Sequence, residues 1–302
     1  MGLFSRQPSV DAHLAPLTTR EADHLRRDVV AAFAEHGSEV VDRGDHVADA
    51  DGGVYGLHNL AMLCASLPPR ERPGAIRSHV AALVDSRSTS TPVTLADIER
   101  AGYVRAMDLA AVPDGIRDEL TPYSRRVGDS LIALLTLDAP SAVTTVGPDD
   151  LARLDLRAAW SAGMANLRAV EVDAREQQDV DGCTVHSLAG ESFFVGSRIL
   201  VLEDEVARVG DAPHGAVVIA PDRHHLHFHV VRDISVVAAV NLLAKVAGGA
   251  YAQEPGAISP HVYWWRTGAL TPLTQRRDDG ALTVVPPDDF VTLLNRLAGE
   301  AP

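Results

Sequence analysis

Histidine side chains are concentrated in one short segment, residues 222–231, which reads DRHHLHFHVV. Side chains alternate between the two faces of a β-strand, so His225, His227 and His229 share one face. Imidazole nitrogens are common zinc ligands, and two histidines separated by one residue on a strand can tilt toward a single ion. The spacing therefore makes His225, His227 and His229 candidate metal ligands, with zinc as the candidate ion.

A zinc site on this strand needs a further ligand from elsewhere in the chain. Four side chains in the same half of the sequence have suitable chemistry: Cys183, His186, His214 and His261. Two alternatives need no metal. The three histidines can form the solvent face of an antiparallel strand whose other face is apolar, or a pH-responsive surface, because clustered imidazoles titrate near neutral pH. We expect the solvent face, and metal binding is the second interpretation.

Two arginines lie near the ends of predicted helices, Arg168 at the end of one and Arg198 at the start of the next. A guanidinium group matches the geometry of a carboxylate or a phosphate, which makes both residues candidate ligand-binding groups. Structural ion pairs are the alternative interpretation for both.

Aromatic residues are few, yet Tyr263, Trp264 and Trp265 are consecutive. On a strand, Trp264 and Trp265 point to opposite faces, so at least one of them is a candidate for exposure. An exposed tryptophan on a hairpin is typical of a protein-binding surface, whereas packing against the sheet is the alternative. We therefore count Trp264 and Trp265 among the candidate partner-binding residues.

The composition argues against several function classes. Lys and Arg total 27 against 41 Asp and Glu, which gives a formal net charge of −14. Such a surface repels phosphate backbones, so nucleic-acid binding is not expected. The sequence contains no nucleophile elbow, phosphate-binding loop or dinucleotide-binding glycine pattern.

The expected location is the cytoplasm. No stretch approaches the ~20 apolar residues of a membrane-spanning helix, and the first residues lack the apolar run of a signal peptide. The chain has only Cys64 and Cys183, and two isolated cysteines are typical of buried, reduced thiols. Neither a membrane association nor a disulfide framework is expected.

The elements that position these residues combine hairpins and helices without a strict alternation of strand and helix. This pattern predicts an α+β fold, with mixed or antiparallel sheets containing β-hairpins and covered by helices. The apolar run LIALLTLDA at 131–139 predicts a strand buried on both faces. We expect two modules, residues 1–146 and residues 147–302.

The second module carries the candidate residues. We expect one sheet there, with two helices against it: the hairpins at 215–231 and 262–273, and the helices at 155–169 and 235–247. Asp155 is the predicted N-cap of the first helix, and Gly248–Gly249 are predicted to end the second. The segment ESFFV at 191–195 is expected to be a further strand.

Four segments resemble the YtpQ-like family of uncharacterised bacterial proteins. They are AWSAGMANLRAV, SRIL, GAVVIAPDRHHLHFHVVRD and AGGAYAQEPGAISPHVYWWRTGALTPL. The resemblance extends over residues 24–275, although its N-terminal part is similar only in the order of the secondary-structure elements. It implies a shared fold, a domain of unknown function and a cytosolic bacterial origin. It implies no reaction, and the family pattern has apolar and acidic residues where this chain has His225, His227 and His229.

The sequence thus favours a cytosolic, non-enzymatic protein that binds a ligand or a protein partner. The alternative is a metal-dependent enzyme, a hydrolase, built on the face of His225, His227 and His229. No cofactor is predicted apart from zinc under that alternative.

Overall fold

The computed structural model describes residues 9–50, 53–88, 92–112, 114–139, 142–253, 256–277 and 282–299. Its helices and antiparallel sheets confirm the α+β class. Within these ranges, no helix combines the length and the apolar character that crossing a bilayer requires.

The chain divides into two compact units. The first comprises Met1–Thr91 with the short segments Ala139–Ala142 and Gln253–Pro255, and the second comprises the remainder. This division differs from the boundary at residues 146 and 147 that the sequence predicted. The reason is a shared core, in which Val104 and Leu135 pack with Leu167 and Val201 and so join residues from both sides of that boundary.

The first unit consists of three helices and a three-stranded antiparallel sheet. Its elements are α1 (Thr19–Glu35), β1 (Val40–Asp42), β2 (His46–Asp49), β3 (Val54–Gly56), α2 (His58–Ser66) and α3 (Arg72–Ser88), with strand order β1-β2-β3. Helix α1 begins at a capping box, in which Thr18 accepts from the Glu21 backbone and Glu21 accepts from the Thr18 backbone. Its residues Leu25, Val29 and Phe33 then recur at helical spacing and are buried in the core of this unit.

The second unit begins with a small sheet and the helices around it. The elements are α4 (Leu95–Ala101), β4 (Gly102–Asp108), α5 (Asp114–Leu120), β5 (Arg125–Val127), β6 (Leu131–Ala139), β7 (Ala142–Thr145), α6 (Pro148–Leu151) and α7 (Leu156–Ala169). Strand β6 pairs with β4, β5 and β7. Residues 131–136 are all buried, which confirms the strand predicted to be buried on both faces.

Helix α7 begins at the predicted cap, since the Asp155 carboxylate accepts from the Ala158 amide at 3.1 Å. It packs mainly against α4 and β4, whereas the sequence placed it against the sheet formed by the later hairpins. Gly163 permits this packing, because a Cβ atom there would lie 2.8 Å from a Leu135 methyl and 3.2 Å from a Val104 methyl.

The rest of the second unit is built around a six-stranded antiparallel sheet. The elements are β8 (Ala174–Val180), β9 (Cys183–Ala189), a 3-10 helix (Gly196–Val201), α8 (Leu202–Val209), β10 (Ala216–Ile219), β11 (His225–Val230), α9 (Val236–Gln253), β12 (Tyr263–Arg266), β13 (Ala269–Pro272), β14 (Thr274–Arg276), β15 (Leu282–Val284) and α10 (Asp288–Gly299). The strand order is β13-β12-β10-β11-β9-β8, and β14 pairs with β15. Both predicted hairpins, β10–β11 and β12–β13, are confirmed in this one sheet.

Two local expectations are wrong, and one hairpin was not predicted. Helix α9 continues through Gly248 and Gly249 to Gln253, because burial of Ala247 in the core outweighs the low helix propensity of glycine. Residues 191–195 form a turn that enters the 3-10 helix, and are not a strand. The sheet instead gains the β8–β9 hairpin, which the sequence did not predict because β8 (AREQQDV) is largely polar and exposed.

Each face of the six-stranded sheet has its own core. On one face, Leu226, Phe228 and Val218 pack against the 3-10 helix and α8. On the other face, Val217 and Ile219 pack against α9 and α10. The sheet is therefore covered on both sides, and this determines what surrounds the histidines.

Candidate functional site

The three histidines of β11 lie on the sheet face that α9 and α10 cover. In the antiparallel register, His229 is opposite Val217 and His227 is opposite Ile219, and both of these partners belong to the core beneath the two helices. His229 is 5% exposed, while the His225 side chain is 43% exposed. The expectation of a solvated face is therefore wrong for His229, because β11 is an inner strand of a sheet with helices on both sides.

Each of the three rings has its own hydrogen-bond partner. Nδ1 of His225 lies 2.9 and 3.0 Å from the carboxylate oxygens of Asp222, and Nδ1 of His227 lies 2.8 Å from Oγ of Ser187. Nδ1 of His229 donates to the Thr184 carbonyl at 2.8 Å. The His225 and His227 rings are parallel, with centroids 6.1 Å apart.

The surroundings of the histidines change their charge state. Burial, together with the nearby His225, lowers the pKa of His227 to about 4. Burial also lowers the pKa of His229. A neutral imidazole is therefore the form of His227 at pH 7, which removes the basis for a charge switch of this residue near neutral pH.

The structure does not gather a metal ligand set around these rings. Among the residues that the structure describes, no group of three or more His, Cys, Asp or Glu side chains is placed to hold a metal ion. His186 stacks on Phe228 on the opposite face of the sheet, with ring centroids 5.1 Å apart. The Cys183 thiol donates to the Val180 carbonyl, and His261 is hydrogen-bonded to Thr274. His214 provides its backbone carbonyl to the Trp264 indole.

Arg198 and Arg168 both form ion pairs within the fold. Arg198 is 1% exposed, contacts the Glu205 carboxylate at 2.5 Å and donates to the carbonyls of Leu167 and Arg168 at the end of α7. The Arg168 guanidinium lies 2.8 Å from Glu203. The structure thus shows the ion pairs that were the alternative interpretation of these two arginines.

The two tryptophans lie on opposite faces of β12, as alternation requires. Trp264 is 4% exposed and packs on Phe290, with ring centroids 5.1 Å apart. Trp265 is partly buried against the core of the other face. Neither side chain forms the exposed aromatic surface on which the prediction of a partner site depended.

A different pair of residues, Arg105 and Arg223, stands out in the structure. Arg105 projects from β4, and its Nε atom is sealed from solvent without a hydrogen-bond partner. Burial, together with the positive charge of Arg223, lowers the pKa of Arg105 to about 10. Among the described residues, neither guanidinium forms an ion pair with a carboxylate. The positive charge of Arg223 therefore acts on Arg105, while the Asp222 carboxylate acts on Arg223.

Arg223 lies in the turn between β10 and β11, and its side chain is held on several sides. Its Nε donates to Nε2 of His224 at 2.9 Å, and Nδ1 of His224 in turn donates to the Gly190 carbonyl at 3.0 Å. The guanidinium carbon lies 4.1 Å above the centre of the Phe193 ring. These contacts use Nε and one face of the group, and within the described part of the chain its terminal nitrogens form no further hydrogen bond.

The backbone of this turn is also fixed. The amides of Gly196 and Gly190 donate to the carbonyls of Arg223 and His224, at 3.0 and 3.2 Å. Gly256, with a φ of +80°, lies directly over the Arg223 side chain, and a Cβ atom there would lie 2.5 Å from Cδ of that arginine. A side chain at residue 256 would therefore displace Arg223 as well as strain the backbone.

The loop that contains Phe193 and Phe194 connects the two arginines. Phe193 is 38% exposed and lies beneath Arg223. Phe194 is buried and stacks on Tyr103, two residues before Arg105 on β4, with ring centroids 4.2 Å apart. The loop thus holds the β4 arginine and the turn arginine in one region of the second unit. We refer to Arg105 and Arg223 together as the arginine pair.

Sequence reasoning did not identify the arginine pair, although one signal was present. β4 reads GYVRAMD, so that Arg105 occupies a position with apolar neighbours on both sides. An arginine at such a position is ordinarily on the exposed face of a strand. Only the fold shows that the 190–195 loop and the β10–β11 turn lie near this face.

Comparisons with family models, with curated proteins and with solved structures find no match for this chain. The resemblance of four segments to the YtpQ-like family therefore stays a prediction.

Proposed function

We propose that the protein binds a small anionic ligand at Arg105 and Arg223. The observation that carries this proposal is that the Arg105 guanidinium lacks an internal counter-charge: among the described residues no carboxylate pairs with it, and its Nε atom has no hydrogen-bond partner. Two other arginines of the chain show what burial ordinarily requires: Arg26 contacts Asp11 at 2.7 Å, and Arg198 contacts Glu205 at 2.5 Å. Arg105 differs from both because, among the described residues, no carboxylate pairs with it, and a bound anion would provide that counter-charge.

The energetics favour an anion at this position. A buried charge is unfavourable unless it is paired and hydrogen-bonded. The lowered pKa of Arg105 reports that penalty. An anion that contacts both guanidinium groups would replace this unfavourable burial energy with a favourable electrostatic one, because charge-assisted hydrogen bonds are strong where water is excluded.

The geometry also favours binding. Arg223 is already oriented by His224 and Phe193, and the turn that carries it is held by backbone hydrogen bonds. Little side-chain motion would have to be lost when a ligand binds, and such preorganisation increases affinity. The overall charge of −14 opposes the approach of large polyanions, which favours a small ligand over nucleic acid.

A binding role of this kind agrees with the function class that the sequence favoured. The cytoplasm is the location we propose for it. Its support is that Cys64 and Cys183 are both buried free thiols, as expected in a reducing compartment.

The proposal is tested by isothermal titration calorimetry with acetate, sulfate and methyl phosphate, in a chloride buffer at pH 7.5. We expect the wild-type protein to bind at least one of these anions and Arg105→Met to lose most of that affinity. Arg157→Met is the matched control, because Arg157 is exposed on α7 in the same unit. Failure of all three anions to bind, or equal binding by Arg105→Met, would overturn the proposal.

A further inference from the structure

We infer that two copies of this chain associate by antiparallel pairing of their β8 strands. Strand β8 is the last strand of the six-stranded sheet, and residues 175–179 are all exposed. Among the described residues, β9 alone pairs with it, and no backbone group outside the sheet bonds to its outer edge. What carries the inference is the placement of Arg175 and Asp179 at equal distances on either side of Gln177 along this open edge.

The turn between β8 and β9 determines which backbone groups point outward. It consists of Asp181 and Gly182, whose φ angles of 51° and 81° are those of a two-residue hairpin turn. The residues that flank such a turn, Val180 and Cys183, form a hydrogen-bonded pair. Because hydrogen-bonded pairs alternate along the strands, three residues of β8 direct their amide and carbonyl groups away from β9: Arg175, Gln177 and Asp179.

Strand β8 lacks several features by which sheet edges commonly avoid pairing, namely shortness, proline and bulges. The opposite edge of the same sheet has two of them, since β13 has four residues and ends at Pro272. Strand β8 has seven residues without proline, and its register with β9 runs without a bulge from Ala174 to Val180. Its outer edge is therefore able to pair along its whole length.

The charge pattern of β8 fits a second copy of the same strand. An antiparallel β8 centred on Gln177 places Gln177 opposite itself and Arg175 opposite Asp179, so that each outward pair exchanges two backbone hydrogen bonds. Directly opposed residues of opposite charge stabilise a sheet, and the twofold axis produces this contact twice. A centre at residue 176 or 178 keeps fewer outward pairs and separates Arg175 from Asp179.

The existing contacts of these side chains are compatible with the pairing. The Arg175 guanidinium lies 3.2 Å from Glu205 and remains 41% exposed, while Asp179 uses Oδ1 to accept from the Thr184 hydroxyl. Asp173 and Asp181, just outside β8, would approach each other across the axis. Asp181 begins the turn, so the pairing ends there, and physiological salt screens the repulsion.

The inference is tested first by sedimentation velocity of the full chain from about 1 μM to about 0.5 mM, in about 150 mM sodium chloride at pH 7.5. We expect the wild-type protein to convert from monomer to dimer over this range. Gln177→Pro removes an outward amide that β9 does not use, and should weaken the dimer roughly tenfold or more. Gln177→Ala keeps that amide and should dimerise like the wild type.

A second pair of variants tests the register. Asp179→Arg places an arginine opposite Arg175, and should weaken the dimer roughly tenfold, because two opposite-charge contacts become two like-charge contacts. Glu176→Arg changes the net charge by the same amount, but its opposite residue is Gln178, so it should not weaken the dimer. Circular dichroism establishes that each variant is folded.

Cysteine cross-linking tests the twofold axis directly. In Gln177→Cys, the two new thiols are opposite each other with Cα atoms about 5.5 Å apart, which a disulfide can bridge. Oxidised glutathione should therefore give a covalent dimer on non-reducing gels. In Gln178→Cys, the same atoms are about 8 Å apart, beyond the reach of a disulfide. The native Cys64 and Cys183 are buried, and the wild-type protein gives their background.

Three results would overturn the inference. The first is a wild-type chain that stays monomeric up to about 0.5 mM, far above the micromolar range of specific interfaces. The second is a dimer whose dissociation constant Asp179→Arg leaves unchanged, since the chains would then associate through another surface. The third is an equal yield of covalent dimer from Gln177→Cys and Gln178→Cys, which decides the question even where Gln177→Pro does not fold.

Discussion

Replacing Arg105 by methionine should stabilise the ligand-free protein. Methionine keeps an unbranched apolar side chain of similar length and removes the charge. In the folded protein, burial lowers the pKa of Arg105 from 12.5 to about 10. At ~1.4 kcal/mol for each pH unit, this lowering corresponds to a destabilisation of roughly 3 kcal/mol by the charged guanidinium.

The sign and the pH range follow from the direction of this change. The pKa of a base is depressed in the folded state, so the charged form is less favourable there than in the unfolded chain. The full penalty applies at every pH below about 10, and declines only as the pH rises from about 10 toward 12.5. The side chain is not fully enclosed, and solvent reduces the penalty. We therefore expect Arg105→Met to gain about 1–3 kcal/mol at pH 7.5.

Urea denaturation in a chloride buffer, without phosphate or sulfate, measures this change in the free energy of unfolding. Tryptophan fluorescence reports on the second unit alone, since Trp160, Trp264 and Trp265 all belong to it. Arg157→Met should remain within about 0.5 kcal/mol of the wild type, as is usual for a surface position. A loss of more than about 1 kcal/mol in Arg105→Met would refute the reasoning, because it would mean that the charged group stabilises the ligand-free fold.

Four further expectations concern the histidine strand, the sheet and the surface charge. Zinc should leave the melting temperature of wild-type protein without a histidine tag unchanged, and elemental analysis that finds one zinc per chain, lost in His227→Ala, would revive the zinc hydrolase. His227→Ala should destabilise by about 1–2 kcal/mol in urea, because it leaves Ser187 without its partner. Tyr263→Phe should destabilise by about 1–2 kcal/mol in the same assay, since the phenol contacts Ser130 and Ser259, both at 2.7 Å; an unchanged free energy of unfolding would contradict this. Duplex DNA at physiological salt should bind more weakly than ~10⁻⁴ M, and a salt-sensitive micromolar gel shift would show the opposite.

The parts of the fold that the sequence predicted are those with strong local signals. The Asp155 cap predicted for α7 is present, since its carboxylate accepts from the Ala158 amide at 3.1 Å. Positive φ angles of 49° at Thr267 and 82° at Gly268 match the predicted turn between β12 and β13. Strand β8 was missed because its stability comes from pairing with β9 and not from its own apolar pattern. Tertiary packing of this kind has no local signature.

The histidine strand illustrates why faces are harder to predict than elements. Alternation placed His225, His227 and His229 on one face, and the structure agrees. Whether that face is exposed to solvent depends on α9, which follows β11 in sequence and packs against the same side of the sheet. The periodicity of β11 is identical whether or not a helix covers it, so the burial of His229 could not be read from the strand itself.

The arginines extend this argument from burial to chemistry. Sequence reasoning selected Arg168 and Arg198 because they lie near helix ends, yet carboxylates of α8 pair with both: Glu203 with the former and Glu205 with the latter. It did not select Arg105, because the position of this residue within β4 resembles that of any arginine on the exposed face of a strand. Among the described residues, no carboxylate pairs with Arg105. This lack of a partner can be recognised only in the folded structure, where the neighbours of the side chain are known. A buried cation is a candidate binding group when the fold does not neutralise it, so the ion-pair partners of each arginine are more informative than its position along the chain.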